Sequence, residues 1–254
     1  METINLNAHP QILDLYEALE QNGLHKQKEE VQSLVGYIEN MEYSLSVMMS
    51  EIQEMHSEVN RLQNKGVRAK CAQIVTKAED KIQQAKTMVS ITKVRLIQSA
   101  ENAVKSFKEK GKSALVQAVA AMRIPAVLSS MKNGLSYAAE SMCQSAGRID
   151  SIRAELHEVG GHMKNAGRAL LGKSARPSPK LEADKGILAK LRNFMDSCGK
   201  AFFKMEQNAD NLLGKIQRDK TPEQQKPSVK SELNKLRTGL SEKSKMPFAK
   251  EQAR

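Results

Sequence analysis

Residues 31–62 read "VQSLVGYIENMEYSLSVMMSEIQEMHSEVNRL", and their apolar rhythm decides the fold. Val31, Leu34, Ile38, Met41, Leu45, Met48, Ile52, Met55, Val59 and Leu62 succeed one another at alternating steps of three and four. That is a heptad seam, with mostly β-branched side chains at a and Leu or Met at d, a combination that suits two paired helices. The flanks add to it. Val35 and Met49 stand at e, Tyr37 and Ser44 at g, and the charge pairs expected between g and e are mostly missing. The apolar stripe is therefore wider than a zipper needs, as in a helix that touches more than one neighbour. We expect one helix over about 24–64. Its seam is the expected surface for self-association or for a partner helix.

The same rhythm runs outward in both directions. Ile12, Leu15, Tyr16 and Leu19 share a face of a short helix over 10–22, with Pro10 at its start and Gly23 just past its end. Beyond Gly66, a candidate break or bend, 67–110 is helical again, with Cys71, Val75, Ala78, Ile82, Ala85, Val89, Leu96, Ala103, Val104 and Phe107 on one side. Gly111 ends it. A short helix near 113–124 leads to Pro125. A further seam runs from Leu128 through Met142, Ala146, Ile149, Leu156, Val159 and Met163 to Leu170, with a slip near Ala146. The stretch 173–185, with Pro177 and Pro179, reads as a linker. A last heptad helix covers 186–217 through Leu188, Leu191, Met195, Cys198, Phe202, Met205, Ala209, Leu212 and Ile216, with Phe194, Phe202 and Phe203 as core fillers. The tail 218–254 is basic and polar and expected to be largely disordered, with one amphipathic segment at Val229, Leu233, Leu236 and Leu240. No strand pattern occurs. The expected fold is all-α: an elongated antiparallel helical bundle or coiled coil, with 1–172 as its body.

Composition agrees. Hydrophobic residues make up 40% of the 254 but aromatics only 4%, with no Trp, so Leu, Ile, Val, Met and Ala must build the core. The net charge of +11 is unevenly spread. Residues 1–64 carry three basic and eleven acidic side chains, net −8; residues 65–254 carry 37 and 18, net +19. Such a basic stretch either solvates helix faces or contacts an anion, whether nucleic acid, a membrane surface or the acidic arm of another copy. The anion contacts it offers are Arg68, Lys70, Lys77, Lys81, Lys86, Lys93 and Arg95. At roughly 100° per residue they flank the apolar stripe on both sides, which argues against a dedicated phosphate face. No interleaved aromatics or nucleic-acid motif accompany them.

Three distant cysteines (Cys71, Cys143, Cys198) support neither a disulfide framework nor a thiol metal site. With no secretory signal at the N-terminus, a reducing cytoplasm is expected. The apolar window 113–131 contains Arg123 and Pro125 and is too short between them to span a bilayer.

Two strings resemble catalytic motifs. "ELHEVGGHMKNAG", 155–167, nearly spells a zinc helix, but His157 and His162 stand five apart, not four, so on a helix they point roughly 140° apart. Gly160 and Gly161 between them read as a weak point or hinge. "GRALLGKS", 167–174, matches the phosphate-loop pattern letter for letter at Gly167, Gly172, Lys173 and Ser174, without the strand before it or the helix after it that the motif needs. Adjacent acids such as Glu79 and Asp80 are ordinary solvated helix positions. No catalytic residue, metal ligand or cofactor is expected.

The N-terminal third, "ILDLYEALEQNGLHKQKEEVQSLVGYIENMEYSLSVMMSEI" at 12–52, resembles an uncharacterised all-helical family encoded in mobile genetic elements of gut Firmicutes. The resemblance rests on a short helix ending in "QNG", on "YIENME" at 37–42 and on "KEKGKSAL" at 108–115. It covers about the first half of the chain and carries no catalytic residue. It implies an accessory role beside plasmid or conjugative-element genes. The expectation is a non-enzymatic structural or interaction protein. A non-specific binder of nucleic acid or anionic surfaces, using 65–112 and the tail, is the alternative.

Overall fold

The computed structural model describes residues 5–177 and 185–218. A 3-10 turn, Leu6–Ala8, precedes six helices: α1 (Pro10–Gln21), α2 (His25–Asn60), α3 (Lys65–Lys110), α4 (Lys112–Ala121), α5 (Ile124–Leu170) and α6 (Ile187–Arg218). No strand occurs among the described residues, and the fold is all-α. Residues 1–214 form one compact unit. Residues 215–254 form a second, of which only the end of α6, 215–218, is described. The expected tail and its amphipathic segment lie outside the described residues, as does most of the linker.

The helix ends follow local chemistry. Gly23, at φ +66°, closes α1: the Leu24 amide donates to the Leu19 carbonyl and the Gly23 amide to that of Glu20, the bond pair that a left-handed residue makes possible. The break after α2 is at Arg61–Asn64, and Gly66 lies inside the first turn of α3. Asn64 explains the difference. Its side chain accepts the Val67 amide at 3.1 Å and caps α3, so the helix starts at this N-cap with Gly66 inside its first turn. Leu62, the tenth seam position, therefore falls in the connection and is only partly covered.

Gly111 (φ +78°, ψ −165°) joins α3 to α4 in a conformation open essentially only to glycine. Arg123 joins α4 to α5 in the left-handed region (φ 49°), at a cost of roughly 1–2 kcal/mol for a side chain with a Cβ. The stretch Lys112–Leu170 is apolar enough by composition to suggest a membrane span. It is two helices broken at Arg123, and α4 at ten residues reaches only about 15 Å.

Gly160 and Gly161 do not break α5, which runs through them to Leu170. Its seam slip is absorbed because Ser145 and Ala146, both small, are both buried, and the Ser145 hydroxyl donates to the Ser141 carbonyl at 2.8 Å.

The seams face inward. Nine of the ten α2 seam residues, all but Leu62, are buried at 8% exposure or less. Val35 and Tyr37 beside them are buried too, so the wide stripe meets several neighbours. Toward α3, His56 Nε2 lies 2.9 Å from Glu79 and Lys93 Nζ donates to Glu42 at 2.6 Å. Toward α6, the Tyr37 hydroxyl donates to the Met205 carbonyl at 3.1 Å, and Lys190 lies 3.8 Å from Glu58. α3 meets α5 where Lys81 sits over the Tyr137 ring. There a Cβ on Gly134 would stand 3.4 Å from Met88 Sδ. α5 meets α6 through Lys132–Asp210 at 2.6 Å and Asp150–Arg192 at 3.4 Å.

At the α5–α6 contact a Cβ on Gly199 would come 3.3 Å from Cys143 Sγ and 3.6 Å from the Ala139 carbonyl. The absence of a side chain there lets the two helices close. On α6 the buried position is Leu213, not Leu212, and Phe203 is exposed while Phe194 and Phe202 fill the core. Burial pushes the Cys198 thiol up to about 12, with the Glu51 carboxylate adding to the effect, and burial also raises Cys71. Both are packing residues that resist ionisation.

Candidate functional site

The seven basic candidates of α3 separate by helix face. Arg68, Lys86 and Lys93 lie on the flank toward α2; Lys70, Lys77, Lys81 and Arg95 lie on the flank toward α5. Lys93 is no free anion contact. It is 3% exposed, and its ammonium sits 2.6 Å from Glu42 and 3.4 Å from Glu39. Glu39 also accepts the Leu6 amide at 2.8 Å, so one buried cation ties α2, α3 and the N-terminal turn together. The acidic N-terminal third thus neutralises part of the basic segment that follows it.

The α5-facing bases are brought together with a residue that the sequence did not single out. Lys77 and Arg148 line two adjoining surface grooves between α3 and α5. One, of about 340 Å³, also holds Lys81, Asp80 and Tyr137. The other, of about 280 Å³, holds Lys70, Gln73 and Ser151. Lys81 donates to Gln84 at 3.0 Å and lies 4.6 Å over the Tyr137 ring, a cation–π contact that fixes its ammonium. Arg148 was missed because its place beside Lys77 depends on how α5 crosses α3. Arg95 lies elsewhere, in a larger groove of about 790 Å³ that also contains Met88, Ile91, Arg123 and Val127.

The two catalytic look-alikes resolve into helix geometry. His157 and His162 both lie on unbroken α5, and among the described residues no three His, Cys, Asp or Glu gather as metal ligands. Gly172 (φ +65°) is a helix stop: its amide donates to the Ala169 carbonyl and that of Lys173 to Arg168, the same closing pair seen at Gly23. Lys173 and Ser174 then enter an irregular segment. The residues that spell a phosphate loop follow a helix and serve to end it.

The end of α5 is the second notable surface. Arg192 of α6 meets Asp150, and Lys70 of α3 shares a groove with Ser151. Five residues separate each from its own helix start, so α3 and α6 both begin opposite about residues 155–157. Residues 158–170 run on for about 20 Å. One face is covered by the chain's own next segment: Asn165 exchanges two hydrogen bonds with the Arg176 backbone, and Arg168 Nε donates to the Ser174 carbonyl. The opposite face carries Val159, Met163 and Leu170 at 54, 71 and 89% exposure. Val159 and Met163, expected as core, are surface residues, because the helices that would cover them have not yet begun.

No curated protein and no solved structure matches the chain. One family model does, over residues 8–254, nearly the whole length. The chain therefore belongs to DUF6674, a family of unknown function.

Proposed function

We propose that this chain is a non-enzymatic interaction protein, an antiparallel bundle in which α2, α3, α5 and α6 alternate in direction. Its work is binding a second copy or a partner helix. The descending and ascending contact numbers support the alternation. An accessory role beside mobile-element genes in a bacterial cytoplasm, as the N-terminal resemblance implies, belongs to the same proposal.

The observation that carries this reading is the division of the apolar seams. The α2 seam is spent inside the chain, whereas the last turns of α5 hold large apolar side chains in water, an arrangement that marks association surfaces. Light scattering on the full chain should give a mass above the 28.2 kDa of one chain, rising with concentration. A constant 28.2 kDa up to millimolar protein would remove self-association.

A second reading rests on the grooves around Lys77. Lys70, Lys77, Lys81 and Arg148 line one α3–α5 face, which favours a binder of polyanions such as nucleic acid. Four contacts imply a slope of log affinity against log salt no steeper than about −4. In a gel-shift assay, Lys77→Glu with Arg148→Glu should weaken binding at least tenfold at low salt. Retention by that variant, or no shift at all for the wild type, would dismiss this reading.

A further inference from the structure

We infer that the two adjoining grooves between α3 and α5 take single-stranded nucleic acid, with its backbone along the cations and one base stacked on Tyr137. The inference rests on the polyanion reading above and names the class of polyanion.

The cations come together without acids to answer them. Lys70, Lys77 and Lys81 of α3 fall within about 40° of one line along the helix and span roughly 16 Å. Arg148 of α5 lines both grooves together with Lys77, and Asp80 is the one carboxylate that lines either. Among the described residues, no acid pairs with Lys70, Lys77 or Arg148. Cations between helices elsewhere are paired: Lys93 with Glu42, Lys132 with Asp210, Arg192 with Asp150. Like charges brought into one cleft from two helices repel each other and concentrate anions there. The uncharged polar lining, Gln73 and Ser151 in one groove and Gln84 and Gln144 in the other, suits phosphate oxygens.

Tyr137 decides which polyanion. It lines the same groove as Lys77 and Arg148, and it is 62% exposed even with the Lys81 ammonium 4.6 Å over its ring. One face carries the cation, and the rest of the ring is open to a base. A cationic groove beside an exposed ring is the combination that holds single strands: the groove tracks the backbone, and the ring stacks whichever base arrives. A duplex keeps its bases stacked inside and offers none to the ring, and polyphosphate has none. Along α3 the basic residues have no aromatic among them that could do this. The crossing of α5 supplies one, which is why the site belongs to the helix pair and not to the basic segment alone.

Fluorescence anisotropy of the full chain at low salt tests this, with labelled oligothymidylate, a labelled hairpin duplex and labelled polyphosphate as probes. The wild type should bind the oligothymidylate about fivefold or more tightly than the duplex. Its slope of log affinity against log salt should be about −3, from four contacts at roughly 0.7 each. Tyr137→Leu should lose about fivefold or more in affinity for the oligothymidylate and nothing for polyphosphate. Tyr137→Phe, which keeps the ring, should bind as the wild type does. Both variants should keep the wild-type circular dichroism, because the side chain is already largely in water. An oligothymidylate affinity untouched by Tyr137→Leu, or a duplex bound as tightly, overturns the single-strand site and leaves the polyanion reading standing. Equal losses for oligothymidylate and polyphosphate in Tyr137→Leu would show that the ring only places Lys81, and overturn the stacked base. A wild type that binds none of the three probes overturns both readings.

Discussion

Ile38→Asp is expected to unfold the chain, not to release a partner from it. Ile38 is fully buried in the middle of α2. A carboxylate there loses about 2–3 kcal/mol of apolar burial. It also carries a polar group into a fully buried apolar seam, which adds several kcal/mol of desolvation whether the group ionises or stays protonated. The total matches the 5–15 kcal/mol that holds a typical domain together. Circular dichroism at 25 °C should show loss of most helical signal, and Ile52→Asp, equally buried, should behave alike. A variant that keeps its helicity and cooperative melt, and loses only mass, would show that the α2 seam faces another molecule. Val159 and Met163 are the contrast: they share the heptad pattern but not the burial, and acidic residues there should leave the fold intact.

The second large effect is expected at Lys93. Removing its ammonium by Lys93→Ala leaves Glu39 and Glu42 facing each other in a half-buried site, with the Leu6 amide still held by one of them. Breaking a buried pair from one side costs more than the pair is worth, typically 3–5 kcal/mol. Because the two carboxylates are 24 and 29% exposed, water screens part of this, and about 2–3 kcal/mol is the expected loss. The urea midpoint should fall accordingly. Lys93→Met combined with Glu39→Gln and Glu42→Gln should recover much of it, since no uncompensated charge remains. Equal midpoints for wild type and Lys93→Ala would mean that the cation contributes nothing to stability.

Much of the fold was legible from residues alone. Periodicity located every helix, and Pro10, Gly23 and Gly111 marked boundaries because each has a conformation that few other residues share. Gly66 misled, since a glycine is a weaker signal than the cap two residues before it. Leu212 and Phe203 misled for a related reason. A three-four rhythm fixes a face to within one residue, and which of two neighbours is buried depends on the helix across from it. The basic segment was the least legible. Twelve Lys or Arg in 65–112 look alike in one dimension, yet Lys93 is a buried structural cation and Lys77 lines an open groove.

The sequence by itself determined the class and the elements: an all-α chain of long amphipathic helices, because the 3.6-residue repeat is written into the order of apolar side chains. The tertiary structure decided which seams are spent and which remain. Burial at a heptad position requires another helix at the same height, and that height depends on where α3 and α6 begin relative to the end of α5. The seam that ends at Leu170 is continuous in sequence from Leu128. It is core until about residue 155 and surface beyond, because its neighbours start there.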